Sequence, residues 1–555
     1  MEDLRVGPLV RAVSPEGVAI WTEWNHACEV TLTVVPDDPL PIQGQREDTS
    51  SVCGRTVTVG ARHYALSRLM GLQPATWYRY RVESSTQVGE TTTRVEPALL
   101  QCFRTLDPLH AGTTLRLAYG SCRKASATEP DALSALGSWL LQRLAERESL
   151  WPRMLLLIGD QIYADDPPGS QARSFEEFAD RYVQAWTADG GVRQVLAALP
   201  AWMIFDDHEI TNNWNITPAW RTWALQRGME SMLIDGLLAY WLYQGWGKCG
   251  MCDAHEDTLL TIMQQAAHSG EDALELLRAR IRRAIYSEKA LQWDYTIATM
   301  PPIFVADVRA DRPAALDGVS YEDHSARIMS QEQMARLRNW MQAHEQSTAV
   351  LVSSVPALLP PAIGFAEYLM GVRPLQGSSG GRVHQLGHLL AKRQQRTALR
   401  MGFEHWPVFH ATWRELLALG TRHRRDIVIL SGDVHFSYAM RARPIFGAGR
   451  RQATFYQLVS SPFKNTLAPR ERRLVRAQSW LRRAFYSNLA LAVLPLVRKD
   501  AEKYASTALL LQNVVALVTF CPQAQNEGAY TIRQVYLGVQ SGTLQEIAAI
   551  TPGHS

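Results

Sequence analysis

The pattern of hydrophobic and polar positions changes near residue 105. Before that point, short β-rich runs such as Gly17–Trp24, Val30–Val35 and Thr76–Val82 are separated by turn residues, without a helical period. Strands of this length and spacing predict an all-β sandwich of the immunoglobulin or fibronectin-III type. We therefore predict an N-terminal β-sandwich domain at residues 1–107.

From residue 114 onward, apolar strand-like runs alternate with helix-like segments, which is typical of α/β proteins. Ser174 and Ser330 begin two predicted helices, because each is followed three residues later by Glu or Gln, as in a capping box. Two segments, 245–298 and 468–500, interrupt the alternation as insertions. We predict one domain over residues 114–555 that contains both insertions.

The composition narrows the function classes. The chain has 555 residues, 46% hydrophobic and 20% charged, and its net charge of +3 is too small to predict nucleic-acid binding. The N-terminal stretch lacks the apolar core of a signal peptide, and no run reaches the ~18–20 apolar residues of a membrane span. The seven scattered cysteines do not predict a disulfide framework. We therefore expect a cytoplasmic protein with reduced thiols.

Polar residues directly follow five of the predicted strands. One aspartate after a strand is more often a turn residue or a helix cap. Five such endings in one chain favour a shared site, because ligands of α/β sheets gather beyond the carboxyl ends of the strands. The residues are Cys122; Asp160 and Tyr163; Asp206, Asp207 and His208; Asp307, Arg309 and Arg312; and Asp433 and His435.

The candidate ligands form two sets of different chemistry. The first offers a thiolate, a phenolate, a carboxylate and an imidazole, which suit a transition metal such as ferric iron. The second offers only oxygens, which suit calcium, magnesium or manganese. A shared carboxylate could bridge two metals ~3.5–4 Å apart, the usual arrangement for displacement at phosphorus. The sets are Cys122, Asp160, Tyr163 and His435, and Asp160, Asp207 and Asp433.

Four motifs carry a resemblance to a known family. "GSC", "GDQIYAD", "DDHEITNNW" and "SGDVHF", in that order between about residues 114 and 440, resemble the alkaline phosphatase D (PhoD-like) metallophosphatases of the calcineurin-like metallophosphoesterase superfamily. "GPLVRAVSPEGVAIWTEW" and "GLQPATWYRYRV" resemble that family's N-terminal sandwich. The resemblance implies a four-layer αββα metallophosphoesterase domain after the sandwich.

The resemblance also implies a role for each motif residue. Cys122 and Tyr163 would bind the first metal and Asp160 would bridge. Asp207 would bind the second metal, and the strand before Asp433 and His435 would aim this pair at the two adjacent metals. The implied metals are Fe(3+) and Ca(2+), with Mg(2+) or Mn(2+) as alternatives at the second site.

The implied activity is hydrolysis of a phosphate ester by a metal-activated hydroxide. His208 would act as general acid or contact the phosphate, and Asn213 is a candidate substrate contact. Arg309 is also a catalytic candidate. Arg309 and Arg312 could bind the phosphate bidentately, although surface or interdomain salt bridging explains them equally well. Two alternatives stay open: phosphodiesterase or phospholipase D-like activity on lipid or nucleotide diesters, and a catalytically weak binding scaffold.

The segment 472–499 is basic and amphipathic. It could lie on an anionic membrane surface as a peripheral contact. More often, a segment of this kind packs its apolar side on its own protein. The sequence leaves both interpretations open, and it is silent on the oligomeric state.

Overall fold

The computed structural model describes residues 3–37, 49–85, 92–94, 100–109, 112–167, 169–214, 220–248, 253–254, 258–287, 291–313, 327–371, 402–445, 453–486, 488–499 and 506–553.

The secondary-structure elements in the described part of the N-terminal region are all β-strands, as the sequence predicts. One sheet has the order β1-β2-β6-β5, and the other has the order β4-β3-β7-β8 with β9 also paired to β7. The strands are β1 (Leu4–Ser14), β2 (Gly17–Trp24), β3 (Glu29–Pro36), β4 (Ser50–Arg55), β5 (Val57–Val59), β6 (Arg62–Met70), β7 (Trp77–Ser85), β8 (Thr92–Arg94) and β9 (Cys102–Arg104).

The rest of the chain forms two large mixed sheets. An eight-stranded sheet has the order β12-β11-β10-β24-β25-β26-β22-β23, and a nine-stranded sheet has the order β13-β14-β15-β16-β17-β19-β18-β21-β20. Their strands are β10 (Leu115–Gly120), β11 (Met154–Ile158), β12 (Ala201–Ile204), β13 (Asp253–Ala254), β14 (Tyr295–Ile297), β15 (Ile303–Val305), β16 (Ala349–Ser353), β17 (Ile427–Ser431), β18 (Tyr438–Pro444), β19 (Phe455–Val459), β20 (Arg483–Tyr486), β21 (Leu489–Val493), β22 (Leu496–Arg498), β23 (Ser506–Thr507), β24 (Val514–Pro522), β25 (Tyr530–Gln540) and β26 (Thr543–Ile550).

Helices connect the strands. The α-helices are α1 (Ala132–Gln142), α2 (Arg147–Leu150), α3 (Phe175–Thr187), α4 (Gly190–Ala198), α5 (Trp220–Gln226), α6 (Glu230–Tyr240), α7 (Thr258–Ser269), α8 (Leu274–Ile285), α9 (Gln331–Ala343), α10 (Pro361–Gly371), α11 (His410–Arg422) and α12 (Pro469–Gln478). Short 3₁₀ turns lie at Leu144–Glu146, Asp207–Glu209, Trp246–Lys248 and Trp406–Val408, and a π-turn lies at Trp241–Gly245.

Local sequence explains where the predicted helices begin. Ser174 caps α3, accepting from the backbone N–H of Glu177, whose carboxylate accepts in return from the Ser174 N–H. Ser330 caps α9 by accepting from the N–H of Gln333. Both caps satisfy backbone donors that a helix leaves unpaired, and both predictions are confirmed.

The buried hydrophobic residues of the described chain form three cores, two of which also include residues of the N-terminal sheets. Leu156 of β11 and Val428 of β17 belong to one core, which both large sheets share. Leu157 points the other way, as alternation along a strand requires, and packs with Leu136 of α1 in a second core. Ile429 likewise packs in a third core with residues of α9 and α11. Each large sheet therefore carries helices on the face opposite the shared core.

The N-terminal sheets are fixed to the rest of the chain by a buried arginine. Arg62, 1% exposed, donates to Glu23 of its own sheet at 2.9 Å. It also donates to Glu176 at 2.6 Å and to Asp180, both on α3. A buried guanidinium needs such partners to offset its lost hydration, so this group ties the two regions together.

The two predicted insertions differ in structure. The described part of segment 245–298 holds α7 and α8. Within 468–500, α12 is followed by β20, β21 and β22, and β21 pairs with β18 inside the nine-stranded sheet. None of the helices in the described part of the chain is both long and apolar enough to cross a lipid bilayer.

Candidate metal centre

Strand ends from both large sheets meet at one place. In the eight-stranded sheet, β10, β11 and β12 are parallel, and Cys122, Asp160 and Asp207 follow their carboxyl ends. In the nine-stranded sheet, β17 ends at residue 431, and Asp433 and His435 follow it. The predicted convergence of these strand ends is therefore what the fold produces.

Three overlapping groups of side chains bring ligand atoms within 4.8 Å of one another. Asp160 belongs to two of them, and Asp207 also belongs to two. The chain of shared carboxylates runs from a thiol–imidazole end to an all-oxygen end. The groups are Cys122, Asp160 and His435; Asp160, Asp207 and His208; and Asp206, Asp207 and Asp433.

Tyr163 lies beside the first group. Its hydroxyl is 3.4 Å from Asp160 Oδ2 and 3.4 Å from His435 Nε2. Asn465, which sequence reasoning missed, donates its Nδ2–H to the same hydroxyl at 2.8 Å. The phenol oxygen of Tyr163 therefore lies next to Asp160 and His435, two of the residues that the sequence places in the same ligand set.

Unusual backbone geometry positions these side chains. Eight non-glycine residues of the described chain have a positive φ, and five of them lie here: Cys122, Asp160, Asn213, Asp433 and His435. Such conformations disfavour side chains with a Cβ and persist only where the surroundings impose them. Their concentration at one edge indicates a functional constraint on the backbone.

Two glycines allow the close approach of the strand ends. Gly159 has φ +83°, and a Cβ there would lie 2.5 Å from the Cβ of Asp206. A Cβ at Gly432 would lie 2.2 Å from Ser121 Oγ, across the boundary between the two sheets. Glu209 connects two of these strand ends, because its carboxylate accepts from the backbone N–H groups of Asp160 and Asp206.

Burial makes the first group unfavourable for negative charge unless a cation is present. Burial raises the pKa of Cys122 well above its usual value, and the nearby Asp160 and Asp433 raise it further. Burial likewise raises the pKa of Asp160, and Asp206 and Asp207 contribute to the rise. Burial lowers the pKa of His435, which favours the neutral imidazole that binds metals.

His208 is oriented by a carboxylate that the sequence prediction did not assign. Its Nδ1–H donates to Asp165 Oδ1 at 2.9 Å, and its side chain is 18% exposed. Burial lowers the pKa of His208, but Asp207, Asp160 and Asp165 outweigh burial and raise it well above its usual value. Asp165 lies in the "GDQIYADD" stretch, so the motif already contained it.

Asn213 contacts the cluster through its backbone. Its N–H donates to Asp207 Oδ2 at 2.6 Å, and the N–H of Asn212 donates to Asp165 Oδ2 at 2.9 Å. These bonds orient carboxylates. The predicted contact of Asn213 with substrate stays a prediction.

Arg309 lies among the carboxylates and is fully buried, with 0% exposure. Its guanidinium is paired with Asp206 and with Glu404, and its Nη2 lies 3.7 Å from Asp207 Oδ1 and 3.8 Å from Asp433 Oδ1. These contacts are salt bridges, as the alternative interpretation of this arginine expects, but they are buried and do not lie at the surface. The guanidinium balances negative charge at the all-oxygen end of the cluster.

Arg312 lies next to the contact between Arg309 and Glu404. Its Nε donates to the carbonyl of Val308 at 2.6 Å, its Nη2 donates to the carbonyl of Glu404 at 3.0 Å, and it stacks over Phe409. These contacts anchor the loop that carries Glu404. The predicted contact of Arg312 with phosphate stays a prediction.

A second histidine, missed from the sequence, supports Asp433. The Nε2–H of His405 donates to Asp433 Oδ2 at 2.9 Å, and its Nδ1–H donates to Glu367 Oε1 at 2.6 Å. Burial lowers the pKa of His405, but Glu367 and Asp433 outweigh it and raise that pKa well above its usual value. No apolar strand precedes His405 in the sequence, so the strand-end argument could not find it.

The donors fit the metals that the two sets predict. The thiol–imidazole end, with Tyr163, has soft and aromatic ligands, and the other end has carboxylates alone. In addition, Asp206 Oδ2 is buried with no hydrogen-bond partner in the described structure. The other oxygen of Asp206 is paired with Arg309, so the observation that suits these residues to metal binding is the approach of their ligand atoms to within 4.8 Å of one another.

Comparisons with known proteins agree with this geometry. Residues 118–235 match the model of the PhoD-like phosphatase family, and residues 1–90 match a domain family of unknown function, DUF7800. A solved structure described as "Structure of PhoD" superposes on 99% of this chain and 89% of its own, with a TM-score of 0.57 and 13% identity. At this identity, the likeness shows the fold.

Other matches are weaker. The sensor domain of the anti-sigma factor RsgI4 from Pseudobacteroides cellulosolvens matches 20% of this chain and 97% of its own, with a TM-score of 0.14 and 15% identity. The third fibronectin III domain of human KIAA0343 matches 20% of this chain and 92% of its own, with a TM-score of 0.14 and 13% identity. Neither supports an inference, and no curated protein matches in sequence.

The matched segment 118–235 includes Cys122, Asp160, Tyr163 and Asp207, four of the residues grouped at the centre. The fold match extends the agreement over almost the whole chain. Residues 118–235 are therefore similar to the PhoD-like phosphatase family, and the chain as a whole shares the fold of the PhoD structure.

Proposed function

We propose that this protein hydrolyses phosphate esters at a centre of two metal ions. The observation that carries the proposal is the overlap of the three ligand groups, in which Asp160 and Asp207 are shared. A shared carboxylate is what a pair of adjacent cations requires. The family match supports hydrolysis of a phosphoric ester as the reaction.

The two metals would have different ligands. Cys122, Tyr163 and His435 would hold the first, which we infer to be ferric iron. Asp207 and Asp433 would hold the second, a harder cation such as Ca(2+), Mg(2+) or Mn(2+), and Asp160 would bridge the two. When bound, the ions supply a nucleophile at neutral pH and neutralise charge on the phosphoryl oxygens.

The chain supplies the remaining steps. Asp165 holds Nδ1 of His208, which leaves Nε2 to donate a proton to the departing ester oxygen. Asn213 fixes the orientation of Asp207 through its backbone N–H. Because Arg309 is buried and paired with Asp206 and Glu404, we give it the role of balancing charge instead of binding phosphate.

We also infer that the domain after the sandwich is the four-layer αββα arrangement. Three cores support this inference: one between the two large sheets and one on the outer face of each. In such an arrangement the carboxyl edges of both sheets border one cleft. The immunoglobulin or fibronectin-III type of the N-terminal sheets stays a prediction.

The test is a comparison of p-nitrophenyl phosphate with its bis-ester. The purified protein is stripped with a chelator, then assayed after resupply of iron, calcium, magnesium or manganese, singly and in pairs. We expect activity to return with a pair that includes iron, and the preferred ester to distinguish a monoesterase from a diesterase. No turnover of either ester under any pair would contradict the proposal.

A further inference from the structure

A basic and aromatic surface lies beside the centre, and the proposed reaction does not use it. We define it by α12, the turn after it and β20. The helix has no buried residue, although it lies on a folded domain. The surface consists of Arg470, Arg473, Leu474, Arg476, Trp480, Arg482, Arg483 and Phe485.

Its apolar members face solvent. Trp480 is 78% exposed, Leu474 72% and Phe485 71%, and these are the largest values among the exposed large hydrophobic residues of the described chain. An aromatic surface lies close enough for packing, because the ring of Tyr486, the residue after Phe485, contacts Trp413 and Tyr368. Exposed apolar residues that cluster within a short segment mark an interaction surface.

Its charge is mainly positive. All five arginines of the surface are exposed, and the described residues provide no ion pair for any of them. The acidic residue among them, Glu471, is used locally, because its carboxylate accepts from the N–H of Ala468 at the start of α12. The surface therefore attracts anions, and it combines that attraction with three apolar side chains.

A cavity of about 310 Å³ opens at the side of the same helix. Arg472 and Arg476 of α12 line it together with Arg498, Thr507 and Gln512. Guanidinium and hydroxyl donors around a cavity of this size suit a phosphate group. The cavity gives the surface a place for an anionic head group beside the apolar residues.

The surface adjoins the candidate centre along the chain. Ser461 contacts Cys122 Sγ at 3.4 Å and Asn465 donates to Tyr163, and α12 begins four residues after Asn465. The chain therefore leads from residues that contact Cys122 and Tyr163 directly into this surface.

We propose that this surface docks on an anionic phospholipid membrane. Arginines bind the negative interface, and tryptophan and phenylalanine partition into its head-group region, which is the combination that peripheral membrane segments use. A protein partner would fit the apolar residues, but it would not require five exposed arginines beside an arginine-lined cavity. The proposal is independent of the proposed reaction.

Sedimentation with vesicles tests it. Vesicles of phosphatidylcholine alone are compared with vesicles of equal parts phosphatidylcholine and phosphatidylglycerol, at low and high salt. We expect the full chain to bind the mixed vesicles, to bind phosphatidylcholine weakly, and to dissociate at high salt because the attraction is screened. Equal binding to both vesicles, or none to the mixed vesicles at low salt, would overturn the proposal.

Two variants separate the contributions. Trp480→Ala with Phe485→Ala removes apolar contacts, and Arg473→Glu with Arg476→Glu reverses charge, so each pair is expected to weaken binding at least about tenfold. The control, Met70→Ala with Tyr286→Ala, removes exposed hydrophobic residues of other elements and is expected to bind like wild type. Unchanged binding by both surface variants would contradict the proposal, and unchanged circular dichroism spectra confirm that they fold.

Discussion

The two sides of the candidate centre balance their charges in different ways. On the side of the eight-stranded sheet, Cys122, Asp160 and Tyr163 are buried next to one another, and burial raises the pKa of each. On the side of the nine-stranded sheet, Asp433 is held by His405 and lies near Arg309, and its pKa is lowered to about 2. The first side has His208 as its nearby cationic group and gains more from an added cation, whereas the second side already carries both His405 and Arg309.

This difference has a consequence for metal binding. A cation at the Cys122 end relieves an unfavourable accumulation of buried negative charge, so it should bind tightly. A cation at the Asp433 end must share its carboxylates with Arg309 and His405. We therefore expect the second metal to be the weaker and more exchangeable of the two.

The largest effect is expected from Asp160→Asn, which removes the shared carboxylate. Turnover should fall more than about a thousandfold, because both metals lose a ligand. The metal-free variant should unfold at a denaturant concentration no lower than wild type, since a neutral amide replaces a buried acid whose pKa is raised. Two measurements check this prediction: chemical denaturation of the metal-free wild type and variant, and turnover of the metal-loaded wild type and variant. Marked destabilisation of the variant together with retained turnover would refute it.

The next effect concerns Arg309→Met. Removing the guanidinium leaves Asp206 and Glu404 buried without their partner, which should cost about 3–5 kcal/mol of unfolding free energy. Urea denaturation of the metal-free protein measures it. Adding Glu404→Gln should recover part of the loss, and no recovery would show that the contact with Glu404 is unimportant.

His405→Gln and Glu367→Gln address the support of Asp433. Each should weaken binding of the second metal by about 10- to 100-fold and leave the first unchanged, as loss of a group behind a metal ligand typically does. Metal titration by calorimetry measures both affinities. His410→Gln is the control, because His410 is buried nearby and donates to the carbonyl of Tyr368 instead of to a ligand. Equal losses at both metals would contradict this assignment.

The smallest effect is expected from Asp165→Asn. The change weakens the hold on His208, so hydrolysis of esters with poor leaving groups should slow by about tenfold. Esters of p-nitrophenol should be almost unaffected, because that leaving group needs little protonation. A plot of rate against leaving-group pKa for both proteins checks this, and parallel plots would remove His208 from the role of general acid.

The sequence predicted one side of the centre better than the other. Cys122, Asp160 and Asp207 each directly follow an apolar strand, and parallel strands end at one edge, so pattern and topology are sufficient to bring them together. His405 and Glu404 lie in a loop, and Glu367 lies on a helix; nothing local marks them. Their roles depend on contacts with residues 28 to 95 positions away, such as Asp433 and Arg309.

Burial was the other property that the sequence did not reveal. Arg309 follows a strand in the same way as Asp160, yet tertiary pairing with Glu404 places it beneath the cluster. Conversely, the amphipathic pattern of 472–499 did not predict that Trp480 and Phe485 are exposed to solvent. Caps such as Ser174 were predictable because their partners lie three residues away.

The most direct test of the account is the metal content of the purified protein. Wild type, Asp160→Asn and the control Asp189→Asn, which changes a helix cap of α4 outside the ligand groups, are compared by elemental analysis. The account predicts about two metal ions per chain, one of them iron, in wild type and the control, and loss of both in Asp160→Asn. Wild type that stays metal-free after iron and calcium are resupplied, or Asp160→Asn with undiminished metal, would contradict it.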